Sequence, residues 1–159
     1  MQFAPQHFAN AAHVVLPWTL TLTYGDIVSF RFPTDDAAKP KARPCLVLDI
    51  VRKRGRRCAV LAYGTSSRCT HDAGQEVQLL NREEAALAGL ERPTRFVGAR
   101  RTARDCPCHT SNGFVCCPEL TTSVLGCVAG AEYAQVLSIQ SRLQIEAAEA
   151  RQASLSNEQ

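Results

Sequence analysis

The arginine of "KARPCLVLDI", Lys41 to Ile50, stands directly before a proline and a nearly unbroken apolar run. Pro44 holds Arg43 in an extended conformation, so its guanidinium sits at the mouth of whatever core that run enters. There it can donate to two oxygens of one anion, or simply keep a strand start soluble. Thr65, Ser66 and Ser67 follow the run "CAVLAY" at Gly64. Their hydroxyls can meet a ligand at a rim or close a turn on nearby backbone. The stretch "CPCHTSNGFVCC" gathers Cys106, Cys108, His109, Cys116 and Cys117. Thiolate and imidazole suit zinc, but C-x-C followed by an adjacent C-C departs from the usual pair of C-x2-C knuckles. Free cysteine also packs as a small hydrophobe, and no metal or other cofactor is assigned. His7, His13, His71 and His109 are scattered without an obvious partner, which weighs against a hydrolase built on a histidine base. Neither a Gly-rich phosphate loop nor a G-x-S-x-G elbow is present.

The charge is uneven. Net charge is only +3 over 159 residues. Yet Lys39, Lys41, Arg43, Arg52, Lys53, Arg54, Arg56, Arg57 and Arg68 share a stretch whose only acid is Asp49. A second run, Arg92, Arg95, Arg100, Arg101 and Arg104, holds no acid. Any one of these residues reads as a solvated cation. Two acid-poor clusters in a chain of this size point to a polyanionic partner, unless the acidic C-terminal segment answers part of the charge.

The elements that must position these groups are short strands. Val28, Phe30 and Phe32 alternate with Ile27, Ser29 and Arg31, the period of a strand. "PTDDAAKPKAR" reads as an exposed loop. Cys45–Val51 is expected as a buried strand, "RKRGR" as a turn and Cys58–Tyr63 as its hairpin partner. After the loop "GTSSRCTHDAG" come a short strand over Glu76–Leu80 and a small helix in "NREEAALAGL". Asn81 serves as its N-cap, Glu84 stands at the capping-box position and Gly89 suits its end. Thr94–Thr102, Phe114–Cys117 and Val124–Val128 are further expected strands. "GAEYAQVLSIQSRLQIEAAEAR" reads as a helix with Tyr133, Val136, Leu137, Gln140, Leu143 and Ala147 on one stripe.

The fold class that follows is mostly β, a small barrel with a short internal helix and a C-terminal helix. Residues 1–20 are expected as an N-terminal arm, 21–151 as the single domain and 152–159 as a disordered tail. No run reaches the ~20 apolar residues of a membrane helix. No Lys or Arg precedes Arg31, so the start is a poor signal peptide and the protein reads as cytoplasmic. Eight cysteines then read as thiols rather than disulfides.

"YGDIVSFRFP", "KARPCLVLDI", a strand ending in "GTSS" and then "GQEVQLL" together resemble the PemK/MazF family of type II toxins from bacterial toxin–antitoxin pairs. The motifs run in the family's order over residues 24–102, and more loosely through the helix at 131–150; "LERPTRFVGARR" looks like a PemK-like branch. The resemblance implies an SH3-like barrel, usually a homodimer, that cleaves single-stranded RNA without a metal and is blocked by an antitoxin. It carries the R-P arginine onto Arg43 and the loop hydroxyl onto Thr65, with Ser66 beside it, as catalytic residues. Gly25 and Asp26 match the opening motif in a structural role. Lys41, Arg95, Arg100 and Arg101 are then expected to bind the RNA backbone. Some members carry an acid where this chain has Val97 and Gly98. The cysteine-rich segment and the N-terminal arm lie outside the family pattern.

Overall fold

A computed structural model describes residues 17–33, 40–67, 75–106, 113–119 and 121–156. His7, His13, His71, Cys108 and His109 lie outside the described residues, as do most of the expected arm and residues 157–159 of the tail. Among the described residues the elements are α1 (Trp18–Thr21), β1 (Asp26–Arg31), β2 (Ala42–Lys53), β3 (Arg56–Thr65), β4 (Glu76–Leu79), α2 (Arg82–Leu87), β5 (Thr94–Asp105), β6 (Val124–Cys127) and α3 (Gly130–Ser156). The strands form one sheet in the order β4-β5-β3-β2-β1-β6, antiparallel at every pairing.

The sheet curls into half a barrel because three of its pairings are bulged. The register shifts between Ile27 and Val28 against β6, between Val47 and Asp49 against β3, and between Ala62 and Tyr63 against β5. Each bulge bends its strand and increases the local twist. The open side between the edge strands is spanned by the end of α2. A Cβ on Gly89 would collide with the Leu125 carbonyl oxygen, and one on Gly126 with that of Ala88. Two glycines therefore let the α2 end and β6 meet backbone to backbone.

Both faces of the β2–β3 hairpin are covered. Inside the curl, Ile27, Leu46, Leu48, Ala62, Val77 and Phe96 pack with Ala85 and Ala88 near α2 and with Val136 and Ile139 of α3. On the other face, Val28, Phe30, Cys45, Val47, Leu61 and Tyr63 pack with Leu22, Phe32 and Phe114. A strand buried on two sides has no need to alternate, which explains the unbroken apolar runs of β2 and β3. Buried Asp49 ties the layers together: its Oδ1 accepts from Ile50 N at 2.8 Å and from Gln140 Nε2 at 2.7 Å. Arg54 and Gly55, both at positive φ, close the hairpin between β2 and β3.

Several sequence expectations change. Phe114–Cys117 is not a strand; Phe114 and Cys117 make only isolated bridges, to Phe30 and Thr122. Residues 18–20 of the expected arm, with Thr21, form a helical turn, fastened by Arg57, whose guanidinium donates to Thr19 O at 2.7 Å and to Leu22 O. The C-terminal helix runs on to Ser156, through most of the expected tail, and beyond Leu143 all of its described residues are exposed. Its buried stripe uses Ile139, whereas Leu137 faces outward at 38% exposure. On α2, Asn81 caps as expected, accepting from Glu83 N at 2.9 Å.

Two stability outcomes follow. Gly89 has φ +78° and a carbonyl where its Cβ would go, whereas Gly55 has φ +77° and open space. Gly55→Ala should cost about 1 kcal/mol from backbone strain alone. Gly89→Ala should cost roughly 2–3 kcal/mol more in urea unfolding, because backbone must also move. Burial pushes the Cys45 thiol up to about 12 from 9.0, against smaller opposing effects of the Gly64 amide and Arg43. The unfolded thiol therefore ionises first as pH rises. Stability credited to neutral Cys45 is intact below pH 9.0 and is lost toward pH 12, at up to about 1.4 kcal/mol per pH unit. Cys45→Ala should flatten that alkaline slope in pH-dependent denaturation.

Candidate functional site

The sheet register assembles side chains that the sequence holds far apart. Phe30 lies opposite Arg43, and Cys45 opposite Tyr63. Beyond Cys45 and Tyr63 the β2–β3 ladder ends, and Arg43 and Thr65 lie at the neighbouring strand ends, where both line one groove. Thr65 lies opposite Arg95, and Arg95 opposite Gln78. Thr65, Arg95 and Gln78 thus form one row across three strands, at ~4.8 Å per step, all on one face. The next row on that face is Cys45, Tyr63, Val97 and Glu76.

At the strand ends this row borders a groove of about 640 Å³. Consecutive residues line it, Lys41–Pro44 from β2 and its approach and Gly64–Ser66 from β3, with Glu91 and Arg92 on the segment after α2. Gly64 is required there, since a Cβ would collide with the Pro44 carbonyl oxygen and press on Phe96. Lys41, Arg43 and Ser66 are exposed, while Thr65 is half-buried. Thr65 Oγ1 accepts from Ser67 N at 3.1 Å, so the hydroxyl closes a turn and keeps its own proton to donate outward. The sequence reading brought Arg43, Thr65 and Ser66 to a rim and expected Lys41 to bind RNA, and all four line this one groove.

The arginines of the second basic run part ways. Arg95 is buried, and its Nη1 lies 3.4 Å from Glu76 Oε1; the two side chains are 9% and 6% exposed. Gln78 Nε2 donates to the other Glu76 oxygen at 2.8 Å. Arg95 was expected to contact an RNA backbone, but it is shut away with a carboxylate instead. Arg101 pairs with Glu146 of α3 at 3.1 Å and also donates to Gly98 O at 3.1 Å. Arg100 lies over the Tyr63 ring, 4.7 Å from its centroid, and Arg43 approaches the same ring at 5.6 Å.

Sequence reasoning missed Tyr63, Glu76, Glu91 and Arg92. Tyr63 was visible as the residue before Gly64, but its two cations come from other strands. Glu76 is the cross-strand partner of Val97, so a carboxylate stands beside the position where the family resemblance led one to look for an acid. Only the register reveals it. In the cysteine-rich stretch, Cys117 Sγ lies 2.8 Å from Glu119 Oε2 and Cys116 Sγ lies 3.4 Å from Ser123 Oγ. Among the described residues no three of His, Cys, Asp and Glu gather as metal ligands.

Arg95 and Glu76 make a sharp stability test. Arg95→Ala strands a buried carboxylate and should cost about 3–5 kcal/mol, whereas replacing both partners by apolar residues should cost far less. Chemical denaturation of Arg95→Ala, Glu76→Leu and the Arg95→Met/Glu76→Leu pair measures this. Compared with known proteins, the chain matches no family model and no curated protein, so the functional reading rests on the geometry of this rim.

Proposed function

We propose that the protein is an endoribonuclease toxin of the PemK/MazF type, an SH3-like barrel that cleaves single-stranded RNA without a metal. The observation that carries the reading is that Arg43 and Thr65, from the ends of β2 and β3, line one groove together with Lys41, Ser66 and Arg92. RNA brings its own nucleophile, the 2′-hydroxyl. Its attack on the adjacent phosphorus forms one P–O bond and breaks the bond to the 5′-oxygen, leaving a 2′,3′-cyclic phosphate and a 5′-hydroxyl. The protein has to hold the groups in line, balance charge on the phosphate oxygens and help the departing oxygen gain a proton.

Arg43 suits charge stabilisation, because its fork donates to two oxygens at once and its pKa above ~12 keeps it charged. Thr65 donates its hydroxyl to the scissile phosphate, and Ser66 assists from the next position. Lys41 and Arg100 hold the flanking backbone, and Arg92, on the same groove wall, joins them. Arg95 acts indirectly, by fixing Glu76 beneath the row. Pro44, Leu90 and Leu125 supply the groove's apolar surface for unpaired bases. A cytoplasmic homodimer neutralised by a cognate antitoxin completes the reading.

A second reading, a barrel that binds RNA without cutting it, draws on one observation. Glu76, on the row next to Thr65 and Arg95, is engaged by Arg95 and Gln78, which leaves it little freedom to accept a proton.

The deciding experiment is cleavage of a single-stranded RNA by purified protein in EDTA, with end-group analysis for the cyclic phosphate. Arg43→Ala and Thr65→Ala should each lower the rate by about 10²–10³ while the fold persists. RNA bound but left intact by well-folded wild-type protein selects the second reading.

A further inference from the structure

We propose that the tip of the β2–β3 hairpin is a separate nucleic-acid surface, a cationic ribbon that docks into the major groove of a B-form DNA duplex through its phosphates. The tip lies at the other end of the hairpin from the groove. Arg43 and Lys53 stand near opposite ends of β2, roughly 30 Å apart at the rise of a strand. The surface is independent of the nuclease reading.

The tip is a ribbon because the sheet ends before it. β1 pairs with β2 only as far as Leu46, and β5 pairs with β3 only as far as Cys58. Cys106 N then donates to Arg57 O at 2.9 Å. Among the described residues, the rung Lys53–Arg56 and the turn at Arg54 and Gly55 stand past these neighbours.

Its residues are poor choices for stability alone. "VRKRGRR", Val51 to Arg57, holds no acid. Arg52 lies directly across from Arg57, and Lys53 from Arg56; like charges so placed destabilise a sheet. Arg54 takes φ 51° and Gly55 φ 77°, a geometry that asparagine and glycine adopt best. An arginine at the first position therefore strains the backbone. The Arg57 guanidinium is held by the carbonyls of Thr19 and Leu22, whereas Arg52, Lys53 and Arg54 are exposed. A polyanion removes the repulsion and engages the strained arginine.

The placement of the cations selects a duplex. Ala59 and Leu61 face the outer cluster, so by strand alternation Arg57 and its cross-strand neighbour Arg52 face that side and Lys53 the other. Arg54 sits between them at the turn. Cations on two faces of a ribbon match two rows of phosphates. A single strand supplies one row, while a duplex groove is walled by two. The major groove of B-form DNA is about 12 Å wide and admits a two-stranded ribbon, whereas that of A-form RNA is too narrow.

Fluorescence anisotropy of a short labelled DNA duplex, titrated with protein at several salt concentrations, tests the surface. Three phosphates neutralised by Arg52, Lys53 and Arg54 give a log–log salt slope of about −2.7. Lys53→Gln/Arg54→Asn should reduce it to about −0.9 and weaken binding at low salt at least tenfold. Arg54→Asn relieves the strained turn, so it should fold at least as well as wild type by circular dichroism and carries the comparison should the pair misfold. Arg82→Gln, which removes an exposed cation from α2, should bind DNA as wild type does. An unchanged slope in the double variant, an equal loss in Arg82→Gln or no saturable binding overturns the proposal. An equal tip-dependent loss on RNA duplex, single-stranded RNA or poly-glutamate overturns it too. Cleavage of single-stranded RNA is assayed alongside. Tip-dependent DNA binding with RNA left intact retains the surface and removes the nuclease; cleavage with DNA binding indifferent to the tip does the reverse.

Discussion

The structure depends on the burial of the β2–β3 hairpin from both sides. Leu46, Leu48 and Ala62 face one apolar cluster, and Cys45, Val47 and Leu61 face the other. With neither face open to water along the middle of the hairpin, polar side chains have room only where the strands end. One end carries the turn at Arg54 and Gly55, and the other carries Arg43, Thr65 and Ser66. The functional rim is thus a consequence of packing. A fully apolar hairpin forces its chemistry to the tips, and Gly64 lets Pro44 approach closely enough for the two tips to share one groove.

Basic composition turns out to be a poor map of that rim. Much of the positive charge serves the fold: Arg57 fastens α1, Arg95 neutralises Glu76, and Arg101 reaches the long helix. Each is held by an oxygen partner, and a cation so held is not free to meet a phosphate. Lys41, Arg43, Arg92 and Arg100 are the exposed cations around the groove and the Tyr63 ring. Among the described residues, the acidic C-terminal segment answers the basic runs through Glu146 on Arg101. The two possibilities raised by composition, a polyanionic partner and internal compensation, therefore apply to different arginines of the same run.

How much was legible in the sequence varied with how local the determining forces are. The hairpin, the Asn81 cap, the Gly89 stop and the start of α3 depend on neighbours within a few residues, and all were readable. Arg43 and Thr65 were readable as strand-end residues because Pro44 and Gly64 mark those ends. The Glu76–Arg95 pair was not, because it depends on β4 lying beside β5, and nothing in "GQEVQLL" announces its partner. Phe114 looked like a strand residue because it is apolar; in the fold it plugs the outer cluster against Trp18 and Phe30. The exchange of Leu137 for Ile139 on the buried stripe reflects how α3 lies on a curved sheet.

The bulge at Gly98–Arg100 shows how one local irregularity separates the roles of adjacent arginines. In a regular ladder, Arg100 and Arg101 would point to opposite faces and each would pair with a β3 neighbour. The three unpaired residues instead shift the register, so that Val97 rather than Arg100 occupies the position beside Tyr63 in the sheet. Arg101 then remains in the ladder and turns to α3, while Arg100 swings over the ring that Arg43 also approaches. Val97 also faces Glu76 in the regular β4–β5 ladder, which leaves the carboxylate on β4 and the aromatic on β3 in one row. A single strand irregularity therefore separates the cation that serves the fold from the one that stays exposed.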